Sequence, residues 1–195
     1  MTQALVLVIA YLLGAIPFGY ILVKLTGGGD VRAQGSGNIG ATNVLRTSGK
    51  LAGFATLLLD IGKGYLAVWL AKRVCGCTLL MSAAAITVMA GHAYPVFLRF
   101  RGGKAVASFV GAFLCLTPWA IAAEVIVFVG VVAWTRHISM GSIAGAATFP
   151  LAVWLVQKSD WPALAAAILA CAFIIYRHAG NIARLRSGTE NVFRL

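Results

Sequence analysis

Apolar runs of about twenty residues, divided by short loops that hold most of the charge, set the terms on which this chain folds. Crossing about 30 Å of hydrocarbon takes about 20 apolar helical residues, because lipid offers backbone polar groups no partner. Residues 3–25 meet that length, with Pro17 and Gly19 loosening the second half. Residues 51–71, 78–95, 138–156 and 161–176 read as further spans. The run from Ala105 to Thr135 is too long for one, since as a single helix it would extend about 46 Å. Pro118 stands near its middle, and proline breaks a helix from within but opens one well. The reading is therefore a short span to about Leu116 and another from Pro118 to Thr135. An all-α integral membrane protein is expected, a seven-transmembrane-helix bundle, with residues 1–195 as a single membrane-embedded domain.

Composition agrees, at 61% hydrophobic and 11% charged residues, where soluble domains average about 45–50% and about 25%. No charged n-region precedes the first apolar run and no small-residue cleavage site closes it, so the first helix is expected to stay. A net charge of +11 would suit nucleic acid, but the cations sit in short interhelical loops, as the positive-inside rule arranges them, and no nucleic-acid partner is expected. Placing the N-terminus outside puts Lys24, Arg32, Arg46, Lys50, Arg99, Arg101, Lys104, Arg136, Arg177, Arg184, Arg186 and Arg194 on the cytoplasmic side. Only Lys72, Arg73 and Lys158 then face out, with Lys63 inside the membrane. Were 105–135 one helix, the bias would fall from twelve against three to eight against seven. Cys75, Cys77, Cys115 and Cys171 lie in or beside apolar segments without zinc spacing, and read as free core thiols.

On this topology three polar constellations share one membrane face. The first is Gly35-Ser36-Gly37-Asn38-Ile39-Gly40-Ala41-Thr42-Asn43-Val44-Leu45-Arg46. Its glycines permit sharp turns with open N–H groups. Its hydroxyls, carboxamides and guanidinium suit a phosphate or carboxylate. The G-x-G-x-x-G spelling from Gly35 to Gly40 is not a dinucleotide fingerprint, because a membrane helix rather than a strand precedes it. The second runs from Arg99 to Lys104, where Gly102-Gly103-Lys104 opens into a helix at Ala105. Helix N-termini attract anions through unpaired N–H groups and the helix dipole. It is not a Walker loop, since its first glycine is missing and Ala105 replaces the Ser/Thr. An ordinary short basic loop is the alternative. The third joins His178-Ala179-Gly180-Asn181 to Ser187-Gly188-Thr189-Glu190.

Other candidates stand apart from these loops. His92, near the end of the third span, is either a substrate-facing residue or a packed, satisfied imidazole. Ser139 and Ser142 share a helix face and offer hydroxyls. Asp60 and Lys63 are three apart and pair along one helix side, or serve the function that ionisable residues within membranes usually mark. Glu124 stands alone near mid-span. No nucleophile elbow, zinc spacing, or His followed five residues later by Asp occurs.

The motifs G-S-G-N-I-G-A-T-N-V-L-R, G-H-A-Y-P-V-F-L-R-F-R-G-G-K-A-V-A and R-H-x-x-N-I-x-R-L-x-x-G-T-E resemble those of the bacterial acyl-phosphate glycerol-3-phosphate acyltransferases, the PlsY family. The likeness spans the whole chain, including the D-x-G-K-G helix. It implies transfer of a fatty acyl group from acyl phosphate to the 1-hydroxyl of glycerol 3-phosphate, giving lysophosphatidic acid and phosphate, the first acylation of phospholipid synthesis. It further implies a bacterial inner membrane, an active site facing the cytoplasm, and no cofactor or metal. Transient contact with the soluble enzyme that makes acyl phosphate is implied as well. By this resemblance Ser36, Arg46, Lys104, His178 and Asn181 match catalytic positions. Gly102 and Gly103 match the glycerol-phosphate loop, and Glu190 matches a residue more structural than catalytic. Gly35, Gly37, Asn38, Gly40, Thr42, Asn43, His92 and Ser142 complete the expected substrate-binding set. A transporter of phosphorylated anions would instead show repeats and helices broken at the midplane. A purely structural subunit would not need three such loops.

Overall fold

The first apolar run is two helices rather than one loosened one. Helix α1 (Gln3–Ala15) stops just before Pro17, and α2 (Phe18–Leu25) begins after it. Proline has no N–H and disfavours helix at the residue before it. The Ile16 carbonyl freed at this break accepts Lys63 Nζ at 2.8 Å as well as the Phe18 N–H at 3.2 Å. The computed structural model describes residues 2–158 and 160–193, so Arg194 lies outside the described residues.

The remaining helices are α3 (Ala41–Ser48), α4 (Lys50–Val74), α5 (Thr78–Ala93), α6 (Val106–Leu116), α7 (Pro118–Thr135), α8 (Ile138–Ala152), α9 (Trp161–Arg177) and α10 (Ala179–Arg186). Every regular element among the described residues is helical. The break at Thr117-Pro118 falls where the sequence reading put it, with Pro118 as the first residue of α7. Helix α8 passes Pro150 and widens into a π-helical turn over Val153–Gln157.

The protein is a multi-pass membrane protein, but its span count is less regular than expected. Five stretches are long and apolar enough to cross: Gln3–Leu25, Lys50–Val74, Thr78–Leu98, Pro118–Thr135 and Ile138–Gln157. Helices α9 and α10, bent by 55° relative to each other, make a sixth if counted together. Helix α6, with 11 residues, is only about 16 Å long, too short to cross alone.

The chain divides into two compact units, one ending at Cys115 and one beginning at Leu116. In the first, α1 packs on α5 and α4, α4 on α5, and α2 and α3 on α4. The helices approach at glycine. A methyl at Gly14 would strike the Val88 carbonyl, and one at Gly91 the Tyr11 carbonyl. Gly64 of α4 and Gly111 of α6 meet each other's helix backbones in the same way. Between helices in lipid no hydrophobic force acts, so such close backbone approach supplies the attraction. Cys75 and Cys77 correct the free-thiol reading: they are joined by a disulfide. Gly76, at φ +62°, folds the α4–α5 turn so that the two Cα atoms stand 5.2 Å apart, well inside bridging range.

In the second unit α8 packs between α7 and α9, and α10 follows α9. The Glu124 side chain lies buried against Gly145 of α8, where a methyl would displace its carboxyl. Large side chains such as Ile126, Trp134, Trp154 and Trp161 remain exposed, as lipid-facing surfaces require.

Candidate active site

Each unit carries part of the predicted site, fastened differently. In the first unit Gly27, Gly29, Gly35 and Gly37 all take positive φ, which L-residues with side chains avoid. Asp30 caps the 3₁₀ turn Val31–Ala33 by accepting from the Arg32 N–H at 2.9 Å, and it holds the Arg32 guanidinium at 2.7 Å. The Arg32 fork keeps its carboxyl well below the usual carboxylate range, at about 2.

The loop from Gly35 to Gly40 is organised by Asn43, which is only 2% exposed. Its Oδ1 accepts the Ser36 N–H at 2.8 Å. Its Nδ2 donates to the carbonyls of Asn38, Gln34 and Val31 at 2.8, 3.0 and 3.1 Å. Asn43 therefore shapes the loop from beneath, and a direct bond to substrate would have to displace one of these. Asn38 Oδ1 accepts the Gly40 N–H at 2.8 Å, leading the chain into α3. Gly35 must lack a side chain, because a methyl there would collide with Asn43 Oδ1. Ser36 stands exposed between Gly35 and Gly37, its hydroxyl unpaired among the described residues. Arg46, exposed in the last turn of α3, makes no ion pair among the described residues. Thr42 is half-buried in the first turn of α3.

Val23, Val31, Ile39, Val44 and Leu98 form one small buried cluster, each worth about 1.5–3 kcal/mol in transfer. Ile39 and Val44 belong to the first constellation, and Leu98 leads directly into the second. The structure thus brings these two together over a shared core.

In the second constellation the glycines pack against the end of α5. The Gly102 N–H donates to the Ala93 carbonyl at 3.2 Å, and the Gly103 N–H to the His92 carbonyl at 3.1 Å. Both N–H groups are committed to the end of α5 and do not stand open to an anion. These residues are glycines because of closeness. A methyl on Gly102 would strike the His92 carbonyl, and one on Gly103 would strike His92 Nε2. Arg99, Phe100 and Ala105 all have left-handed φ, of 52°, 62° and 63°, strain that a packed surrounding must hold in place. Lys104 follows Gly103 directly, and α6 begins two residues later.

His92 itself is 4% exposed. Its Nδ1 lies 3.3 Å from Ser108 Oγ and 3.7 Å from Asp60 Oδ1. Asp60 pairs with Lys63 at 2.7 Å. Spacing along α4 revealed that pair, whereas the imidazole of another helix beside it was not legible.

In the second unit, Glu190 gathers the third constellation. Its Oε1 accepts from Asn181 Nδ2 at 2.6 Å and from Ser139 Oγ at 2.8 Å, while its Oε2 takes Arg184 Nε at 2.7 Å. Burial alone would raise its pKa, but the bonds from Asn181, Ser139 and Arg184 outweigh that and hold the carboxyl below its ordinary value. Gly188, at φ +70°, turns the chain after α10 so that Glu190 reaches back. His178 is buried at the α9–α10 bend, with Nδ1 2.8 Å from the Ile174 carbonyl. A carbonyl only accepts, so Nδ1 carries the proton, and in the neutral ring Nε2 is the basic nitrogen. Ser142 donates to the Ile138 carbonyl within its own helix at 3.0 Å.

Comparison with known proteins gives these features their context. A family described as glycerol-3-phosphate acyltransferase matches residues 4–188. A glycerol-3-phosphate acyltransferase of Geotalea daltonii is 44% identical over 195 residues, covering 100% of both chains. One of Roseobacter denitrificans is 51% identical over 185 residues, or 94% of this chain and 90% of the relative. Two crystal structures of PlsY (YgiH), an integral membrane glycerol 3-phosphate acyltransferase, superpose on the chain. The glycerol 3-phosphate form has a TM-score of 0.95 at 36% identity, covering 100% of this chain and 96% of that one. The lysophosphatidic acid form has a TM-score of 0.92 at 35% identity, with the same coverage.

Proposed function

The chain belongs to the glycerol-3-phosphate acyltransferase (PlsY) family, and from that premise we propose that it transfers a fatty acyl group from acyl phosphate to the 1-hydroxyl of glycerol 3-phosphate. The observation that carries this reading is the Gly35–Gly40 loop, which Asn43 braces from beneath while Ser36 and Arg46 stay exposed. The names of the crystallised relatives support glycerol 3-phosphate as acceptor.

The hydroxyl oxygen attacks the acyl carbonyl carbon and forms the ester C–O bond. The anhydride C–O bond breaks, and phosphate departs with its electron pair. The hydroxyl proton passes to His178 Nε2 or to a phosphate oxygen. Arg46 and Lys104 each clamp a phosphate, and Ser36 donates its hydroxyl rather than attacking, since no base adjoins it to activate it. Acyl phosphate is already activated, so positioning and charge neutralisation suffice. Transfer is one step in a ternary complex, with the whole chain acting as one domain in seven spans, α6 crossing only together with the residues that lead into it, N-terminus outside, and the site on the cytoplasmic side of a bacterial inner membrane.

Purified protein given glycerol 3-phosphate should form lysophosphatidic acid from acyl phosphate and not from acyl thioester. Bisubstrate kinetics should give intersecting lines, and activity should survive a strong chelator. Ping-pong kinetics, or an acylated Ser36 trapped without glycerol 3-phosphate, would overturn the one-step scheme. Arg46→Ala and Lys104→Ala should each lose about ten- to a hundred-fold in activity, since a charge-assisted bond is worth about 1.5–3 kcal/mol. Single cysteines replacing Ser48 and Gly188 should label from the same membrane face; opposite faces would refute the topology.

A further inference from the structure

Beneath the Gly102–Gly103 loop lies a buried polar chain that the proposed reaction does not use. Asp60, Lys63, His92 and Ser108 are 2, 4, 4 and 0% exposed. They come from α4, α5 and α6. Lys63 pairs with Asp60 at 2.7 Å and reaches the Ile16 carbonyl at 2.8 Å, which ties the pair to the α1–α2 break. Asp60 Oδ1 and Ser108 Oγ both face His92 Nδ1, at 3.7 and 3.3 Å. The opposite edge of the same ring supports Gly103 so closely that a methyl there would collide with Nε2. Gly103 also donates its N–H to the backbone carbonyl of His92 at 3.1 Å.

We propose that His92 is a positioning residue: fixed at Nδ1 by Asp60 and Ser108, it holds Gly103 and thereby sets where Lys104 and the first turn of α6 meet a phosphate group. This rests on the function proposed above and names a residue through which that phosphate site is built. Two features favour positioning over direct contact with substrate. The ring is occupied at both edges, by side chains at Nδ1 and by loop backbone at Nε2. The loop it supports carries three non-glycine residues with left-handed φ within seven positions, Arg99, Phe100 and Ala105, and such a conformation persists only where its surroundings over-determine it. Removing the ring lets the loop relax, so Lys104 loses its aim while the helices keep their packing.

The test is steady-state kinetics on purified full-length variants in nanodiscs, with each substrate varied in turn. For His92→Ala the KM for glycerol 3-phosphate should rise about ten-fold, the size of one hydrogen bond to a charged group. Its kcat and its KM for acyl phosphate should stay close to wild type. His92→Gln, whose amide nitrogen reaches the Nε2 position, should recover most of the loss, and His92→Asn, which reaches only Nδ1, should recover less. An unchanged KM in His92→Ala, a fall in kcat alone, or a Gln variant no better than Ala would overturn the proposal. Should His92→Ala fail to fold, Ser108→Ala decides: the same selective rise in KM, smaller in size, is expected, and a wild-type KM would refute the inference. Wild-type turnover reads the functional proposal separately. If wild type made no lysophosphatidic acid, the rise in melting temperature on adding glycerol 3-phosphate or inorganic phosphate would still compare wild type with His92→Gln and His92→Ala. Equal rises in all three would then refute the positioning role.

Discussion

The two units fasten their polar residues around hubs of opposite character. In the first, the hub is Asn43, a neutral amide that donates and accepts at once and so satisfies four backbone groups of one loop. In the second, the hub is Glu190, a carboxylate that only accepts and draws three donors from α8 and α10. An amide hub fixes backbone shape and is indifferent to pH. A carboxylate hub fixes side chains, and it works only while ionised. The same difference appears in what each leaves exposed. The Asn43 loop presents a serine hydroxyl between two glycines, whereas the Glu190 cluster orients Asn181 three residues after His178.

The largest effect expected from breaking this contrast lies in the first unit, outside either hub. Lys63→Ala leaves Asp60 charged and buried, which costs about 3–5 kcal/mol. Thermal unfolding should show the protein strongly destabilised, and a loss below 1 kcal/mol would mean that the pair is not desolvated. Asn43→Ala comes next, at about 1–3 kcal/mol, because only its bond to the Val31 carbonyl is buried and the other three groups are part-buried and within reach of water. Asn43→Asp should not rescue it, because a carboxylate cannot donate to the Gln34, Asn38 and Val31 carbonyls. Activity falling with stability intact would relocate Asn43 from the brace to the substrate.

Glu190→Gln is milder at neutral pH, since the amide oxygen still accepts from Asn181 and Ser139, but the ionic bond to Arg184 is lost. The pH dependence then separates the two hubs. The folded-state pKa of Glu190 lies below its ordinary value of 4.5. Its contribution is therefore full above about pH 4.5 and is lost as pH falls through the lowered folded value. The stability gap between wild type and Glu190→Gln should close on acidification, while the gap for Asn43→Ala stays constant. A pH-independent Glu190 gap would contradict the carboxylate account. The smallest effect belongs to Arg32→Ala, whose partner Asp30 is exposed. Melting temperature and turnover should not change measurably.

Much of this was legible in the sequence, and what was not follows one pattern. The long apolar helices could be read from their runs, and the Pro118 break from helix length against bilayer thickness, whereas the short polar helices α3 and α10, which have no apolar run, could not. The Asp60–Lys63 pair was legible because spacing along a single helix reports its own neighbours. The His92 partnership, the Lys63 bond to a carbonyl 47 residues away and the Cys75–Cys77 disulfide were not. The first two depend on a second helix, and the third on one glycine's turn. The glycines at 102 and 103 stood out in the sequence, but their packing against His92 did not. Sequence shows that a side chain is missing, not whether the space serves a ligand or a neighbouring ring. Pro17 was read as loosening a helix that it in fact ends, since loss of the following N–H partner is complete rather than partial.

The Lys63 bond to Ile16 also bears on how the chain enters its bilayer. Synthesis delivers α1 and α2 before α4, so the Ile16 carbonyl, which the Phe18 N–H alone would otherwise engage, precedes Lys63 along the chain. Lys63 carries its own counter-ion three residues ahead of it on the same helix, at 2.7 Å. The ammonium then finds its second acceptor in a segment inserted earlier. The buried ammonium of α4 is thus answered by a carbonyl 47 residues earlier in the chain, so one bond ties the fourth helix to the break that ends the first.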